Sequence, residues 1–370
     1  MDVYSDPALV SEIRKYGYFD VSGCFSCGSC TAICNLSDDS AAFPRKTMRV
    51  AQLGLRGPLA SSLEPWLCYY CGQCSKTCPR KAEPGESMMT LRRYLVSVYD
   101  WTGLAAKINR SGLWHAGALI FIGILFLLLM VGYHLVYVKM GFTDFASTPM
   151  GLAHMFPLMD DFTFAVIVGP LLLLATNAVR MAWLLMRSGE HRASLSSCLA
   201  GFGKFLFHFS TQKRIVDCEA EKGRWLTHFL IGSSCTAMLV ILVFFLKWFQ
   251  TDELLPIYHP QRWVGYLITI AMIYGSASVL LSRTKKQQEI HRFSDFSDWS
   301  FPLLLLGTAV TGILIHICRY AGFQFAAHYT YIIHLLIAVP MLVIEIPFGK
   351  WAHMVYRPLA LWFQSSKEAR

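Results

Sequence analysis

The chain has 370 residues, of which 54% are hydrophobic and only 15% charged; soluble domains carry about a quarter charged. That composition excludes an ordinary soluble enzyme and points to a membrane protein with a soluble appendage. The formal charge of +9 does not indicate a nucleic-acid partner, because the basic residues sit in loops between apolar runs and not along one stripe.

In chain order, residues 1–20 are polar and lack the apolar core of a secretory signal. Two cysteine runs follow. The first holds Cys24, Cys27, Cys30 and Cys34; the second holds Cys68, Cys71, Cys74 and Cys78. Both read C-x2-C-x2-C-x3-C, the spacing of a two-cluster ferredoxin, in which a short loop wraps three thiolates around a cubane and the fourth comes from elsewhere. In the interleaved pattern, Cys24, Cys27 and Cys30 share a [4Fe–4S] cluster with Cys78, and Cys68, Cys71 and Cys74 share one with Cys34. Asn35 stands where a proline is usual after the first run, whereas Pro79 follows the second. Disulfide frameworks belong to small secreted domains, and zinc favours paired C-x2-C knuckles without these third and fourth cysteines. The scattered Cys198, Cys218, Cys235 and Cys318 read as buried small hydrophobes. Clusters need a reducing compartment, so this part of the chain is expected in the cytoplasm.

Residues 46–54 are amphipathic, and Pro84-Gly85-Glu86-Ser87 opens a helical run over 88–99. Strand signals are poor. Residues 1–105 are therefore expected to form an α-helical ferredoxin domain, and residues 106–370 a second, membrane domain.

Six segments of that second part are long and apolar enough to cross a bilayer, which takes about 20 residues: 113–138, 162–187, 225–248, 262–282, 300–322 and 329–348. Open sheet cannot serve in lipid, so these are helices. Lysines and arginines crowd the loops 188–224 and 283–299, while 139–161 and 249–261 are acidic or nearly uncharged. By the positive-inside rule both termini are cytoplasmic. The tail, 350–370, begins as an interfacial helix carrying Trp351, Arg357 and Trp362.

Ionisable groups inside spans are functional candidates. His334 and His353 are 19 residues apart, about 28 Å along a helix, so they cannot bind one iron but can each serve a haem near one face. His228 matches His353 in depth and pairs with it at the cytoplasmic side. His334 needs a partner: His316 is the first choice, with Met238, about 15 Å beyond His228, and His134 as alternatives. His115, His154, His259 and His328 read as ordinary packing or interfacial residues. Arg319 meets either a propionate, a quinone carbonyl, or simply the headgroups.

The stretches "CFSCGSCTAIC", "FPRK", "WLCYYCGQCSKTCPR" and "EPGESMMTLRR" resemble the C-type iron–sulfur subunits of heterodisulfide reductases. The stretches "DWSFPLLLLGTAVTGILIHICRYAG" and "HLLIAVPMLVIEIPFGKWAHMVYRPLAL" resemble the cytochrome b subunits of that group and of respiratory nitrate reductase. The fusion of both is similar to the C-type subunits of quinone-interacting membrane-bound oxidoreductase complexes. That resemblance implies an all-α chain, a six-helix cytochrome b bundle, two [4Fe–4S] clusters, b haems and menaquinone as substrate. It also implies FAD-containing, heterodisulfide-reductase-like partner subunits and electron exchange with adenylylsulfate reductase. In the nitrate reductase cytochrome one span gives two haem histidines ten residues apart and the last span gives two more. His228, His334 and His353 match three of these, and Met238 stands at the fourth position. His316 has no counterpart in that pattern.

The sequence thus predicts a redox wire with a quinone site, in which cofactors carry the chemistry and the protein sets distance and potential. There is no G-x-G-x-x-G dinucleotide fingerprint, so the flavin belongs to a partner. The rivals are a component of a heterodisulfide- or sulfite-linked reductase, and a membrane anchor or redox sensor without turnover. No adjacent Cys-Cys pair occurs, so disulfide catalysis would have to lie in another polypeptide.

Overall fold

The computed structural model describes residues 4–37, 42–136, 159–188, 195–217, 222–249, 251, 253–286 and 291–368. Cys218, His154 and most of the loop after the first span lie outside them, as do the side chains of His134 and Cys198.

The chain is all-α: among the described residues the only extended pairing is one bridge between Ser5 and Leu55. The N-terminal part is a set of short helices around the long helix Pro84–Tyr99, which starts with proline at its first turn, where a missing N–H costs nothing. Its buried face (Met88, Leu91, Tyr94, Leu95, Tyr99) meets Leu9, Ile13, Met48 and Trp66 in one core.

Among the described residues six helices are long and apolar enough to cross a membrane: Gly112–Tyr133, Phe164–Arg187, Gly223–Phe244, Pro260–Thr284, Phe296–Tyr320 and Gln324–Glu345. The chain is a multi-pass membrane protein; the end of the helices that carries the cysteine loops is its near face, the other its far face. The third span packs on the fourth, the fourth on the fifth, the fifth on the sixth, and the sixth on the first. Turn chemistry sets several ends. Asp298 accepts the backbone N–H of Asp295 at 2.8 Å to start the fifth span, and Gly322, with φ +76°, ends it in a conformation that favours glycine.

Two features depart from the expected layout. The stretch read as a basic loop, 188–224, contains a helix, Leu195–Thr211. The tail does not lie free at the interface: His353–Glu368 packs against Leu195–Thr211 and against the N-terminal part, burying Tyr356, Ala360 and Leu361. Gly201 permits the first contact, since a Cβ there would lie 2.9 Å from the backbone nitrogen of Ser366. The second contact is aromatic. Tyr356 stacks near Trp66 (centroids 5.0 Å) and Tyr99 (5.4 Å), and all three are almost fully buried. Arg93 adds ion pairs with Asp295, Asp298 (3.9 Å) and Glu86 (3.4 Å). The cysteine loops are thereby held against the near end of the spans.

Candidate functional site

The two cysteine runs fold alike. In each, the residue before the second cysteine is left-handed (Ser26, φ +55°; Tyr70, φ +56°), and so is the glycine after it (Gly28, +91°; Gly72, +79°). A one-turn helix then carries the third cysteine, over Ser29–Ala32 and Gln73–Lys76. Two left-handed residues in such close succession turn the chain sharply between the first and third cysteines of each run. A left-handed Tyr70 is an unusual conformation for a bulky residue, and Tyr70 is held there by its hydroxyl, which donates to Glu86.

The thiols fall into groups. Cys34 feels the charge of Cys68 and Cys71, and Cys74 that of Cys68, Cys71 and Cys34 and, last in order, of Cys30, while Cys30 feels Cys24 and Cys27. Burial pushes the Cys34 thiol up to about 11 and raises Cys74 too. Such thiols stay protonated without metal, so cluster iron must displace the protons. Among the described residues no three His, Cys, Asp or Glu side chains converge on a single metal ion. A cubane distributes its thiolates over four irons and needs wider spacing. Backbone N–H groups reach the sulfurs of Cys68 (from Tyr70, 3.3 Å) and Cys78 (from Ala82, 3.4 Å).

Three arginines from distant parts of the chain grip the carbonyls of residues 65–69. Arg92 donates to Pro65 (2.6 Å) and to Cys68. Arg357 donates to Trp66 (2.9 Å) and to Cys68. Arg224, at the start of the third span, donates to Tyr69 (2.9 Å). Burial beside the other arginines lowers Arg92 to about 9. The guanidinium of Arg357 also lies 4.4 Å over the ring of Tyr69.

Behind this loop is a cavity of about 330 Å³ lined by Tyr69, Gln212, His228, Gly232, His353 and Arg357, among others. Its volume is in the range of cofactor pockets, roughly 300–1,000 Å³. The rings of His228 and His353 both line it, with centroids 6.3 Å apart and planes inclined at 57°. Two imidazoles that share one metal at about 2.0 Å, with ring centres about 1.1 Å behind their nitrogens, have centres about 6.3 Å apart. Each ring is also oriented for the task. Nδ1 of His353 faces the carbonyl of Lys350, which can only accept. Nδ1 of His228 donates to Oε1 of Gln212 at 2.7 Å. Both tautomers therefore leave Nε2 as a free lone pair, the arrangement that metal-ligating histidines adopt. Gln212 reaches this position with φ +50°, and Gly232 leaves room for it: a Cβ there would sit 2.8 Å from its amide nitrogen.

His334, in the sixth span, repeats the pattern. Its Nδ1 is 2.9 Å from Oγ1 of Thr311. That hydroxyl already donates to Gly307 at 2.7 Å, so it accepts from His334 and Nε2 is again left free. His316 does not. Its Nε2 meets the Tyr266 hydroxyl at 2.7 Å, its ring lies 4.3 Å from that of Tyr320, and no ring contact joins it to His334 among the described residues. The expected His316–His334 pairing is not formed, because the fifth span turns His316 toward the fourth.

His115, which reads from the sequence as an ordinary packing residue, holds a buried polar contact. Its Nε2 lies 2.8 Å from Oε1 of the fully buried Glu345, and Oε2 of Glu345 accepts the N–H of Lys350 at 3.0 Å. The pair locks the near end of the first span to the sixth.

Comparison with known proteins bears on the N-terminal part. Residues 20–82, which hold all eight cysteines of the two runs, match the 4Fe-4S dicluster domain. Among curated proteins, the chain is similar to the C component of the H(2):CoB-CoM heterodisulfide,ferredoxin reductase of Methanothermobacter thermautotrophicus, 31% identical over 78 residues, 21% of this chain and 42% of that one. It is 38% identical to the C-type iron–sulfur component of the CoB--CoM heterodisulfide reductase of Methanopyrus kandleri over 90 residues, 24% of this chain and 45% of the relative. Against the C component of the Ferredoxin/F(420)H(2)-dependent CoB-CoM heterodisulfide reductase of Methanosarcina acetivorans it is 31% identical over 85 residues, 23% and 52% of the two chains. The chain thus spans only 42% to 52% of the length of these relatives. No solved structure matches. The N-terminal part is an iron–sulfur domain like that of the C-type components of heterodisulfide reductases, joined here to six membrane helices.

Proposed function

We propose that this chain is the membrane component of a respiratory oxidoreductase complex. It exchanges electrons between menaquinone or menaquinol, b haems and two [4Fe–4S] clusters, and passes them to FAD-containing partners of the heterodisulfide reductase type. The soluble end of this route is adenylylsulfate reductase in sulfur metabolism. The observation that carries the proposal is the pair His228–His353, spaced and tautomerically set for one iron, directly behind the loop that holds Cys68. The fusion of the two modules in one chain, similar to the C-type subunits of quinone-interacting complexes, supports the choice of complex.

In this scheme His228 and His353 hold the near-face haem, and Gln212 and the Lys350 carbonyl fix their rings. His334, set by Thr311, holds a second haem toward the far face, with Met238 or His134 as its candidate partner. Cys24, Cys27, Cys30 and Cys78 hold one cluster, and Cys34, Cys68, Cys71 and Cys74 the other. Haem and clusters, when bound, supply the one-electron chemistry. Arg357 and Tyr69 span the gap between them: Arg357 is one helical turn from His353 and donates to the Cys68 carbonyl. The near face is cytoplasmic, the lipid bilayer is the inner membrane, and both termini lie on the cytoplasmic side.

The test is an optical and EPR titration of the purified full chain, with haem quantified and a soluble menaquinol analogue as reductant. Two haems per chain, reduced by the quinol before two cluster signals, bear the scheme out. One haem removes the His334 site. No haem leaves a membrane-anchored iron–sulfur protein, the rival without turnover.

A further inference from the structure

A second cavity, about 150 Å³, lies at the far face between the fourth and fifth spans. It is too small for a whole prenylated molecule but suits a ring headgroup, since pockets that enclose entire drug-sized ligands run from roughly 300 Å³ upward. Its walls carry Gln261, Arg262, Tyr266, Gly312 and His316, an unusual polar density for a site between two apolar helices. The neighbours on the same helices, Leu267, Ile270, Leu314 and Ile317, are exposed to the bilayer, so a hydrocarbon tail has a way out into lipid.

The polar atoms are incompletely used. Gln261 is 1% exposed, and its Oε1 has no hydrogen-bond partner, although its amide nitrogen donates to the Trp248 carbonyl. Nε of Arg262 is likewise buried without a partner. Buried polar atoms are nearly always satisfied, so such orphans mark a place where a ligand belongs. The Tyr266–His316 pair, 2.7 Å apart, can shift its shared proton to donate to a carbonyl or to accept from a hydroxyl. Gly312 brings the cavity close to the redox path: a Cβ there would lie 3.6 Å from Cε1 of His334.

We infer that this cavity binds the headgroup of a lipid-soluble quinone. The Tyr266 hydroxyl hydrogen-bonds one oxygen of the ring, with His316 behind it setting the direction of that bond, and Gln261 accepts from the hydroxyl form. The quinone class rests on the function proposed above; the location rests on the cavity.

The full chain in lipid nanodiscs is titrated with heptyl-hydroxyquinoline N-oxide, a quinol mimic whose fluorescence is quenched on binding. Saturable binding at one site per chain is expected. Tyr266→Phe keeps ring and volume, and should weaken binding about tenfold through one lost hydrogen bond. His316→Gln should do the same. Thr269→Leu, which fills the cavity and removes no group assigned to the ligand, should weaken it at least as much. Circular dichroism melting checks that each variant is folded. Saturable binding that survives all three changes overturns this site and leaves the quinone reading standing. Absence of saturable binding in the folded unaltered chain overturns the quinone reading and the site with it.

Discussion

His228 and His353 come from the third span and the tail helix, yet their rings stand 6.3 Å apart with both Nδ1 atoms committed to oxygens of neighbouring residues. Neither the Gln212 amide nor the Lys350 carbonyl would need to bind a metal held by the two rings. They act by choosing which nitrogen of each ring keeps its lone pair.

Replacing His228 or His353 by alanine should therefore remove one haem per chain. Gln212→Leu should keep both rings but lose the acceptor that fixes His228, weakening haem retention by about 10–100-fold. Haem content by pyridine haemochrome, measured after competition with an apo-globin, separates the two cases. Equal retention by Gln212→Leu and the unaltered chain would mean that the amide does not orient His228.

Cys34 feels the charges of Cys68 and Cys71, on the second run, while sitting on the first. Cys34→Ser is thus expected to destabilise the cluster of the second run and spare that of the first. Iron should fall from roughly eight to roughly four atoms per chain, with one EPR species retained. Loss of the first-run cluster instead would reverse the interleaving.

Burial raises Glu86 to about 7, despite the opposing hydrogen bond from Tyr70 and the charge of Arg93; Asp298 and Asp295 add to the rise. The folded chain therefore binds a proton that the unfolded chain releases near pH 4.5. Stability should fall as pH rises from about 4.5 to about 7 and then level off, by up to about 3 kcal/mol. Glu86→Gln should flatten that slope and melt higher at pH 8 than the unaltered chain. Thermal unfolding at a series of pH values measures both, and parallel slopes in the two proteins would count against a titrating Glu86.

Arg357 makes two hydrogen bonds to the loop that carries Cys68. Arg357→Ala should cost about 2 kcal/mol, typical of hydrogen bonds from a charged group. It should also make the second-run cluster more labile to a ferrous chelator than the first. Arg357→Lys should rescue little, because an ammonium cannot span both carbonyls as a planar fork does. Chelation rates followed by cluster absorbance decide it; full rescue by lysine would show that charge alone matters.

Much of this architecture is legible in the sequence, and what is not has a common cause. Eight cysteines at fixed spacing dictate their own loops, and apolar length dictates six spans. Depth along a helix can be counted, which is why His228 and His353 pair on depth alone. Rotation about a helix axis cannot be counted, because packing against neighbours sets it. His316 has the depth of His334 but faces Tyr266 instead. Gln212 lies in a stretch whose lysines and arginines read as a loop, and nothing in its composition announces a bond to His228. The helix Leu195–Thr211 carries an apolar pattern of its own, masked by its basic flanks.

The grip of Arg357 on Cys68 joins residues 289 positions apart. A ribosome delivers the second cysteine run long before it delivers this arginine. Until all six spans are inserted and the tail helix has docked, the carbonyls of Trp66 and Cys68 lack one of their anchors. The loop is therefore gripped in two instalments: Arg92 is available as soon as the N-terminal part is made, and Arg357 closes the second half of the grip only once the last helix of the chain has docked.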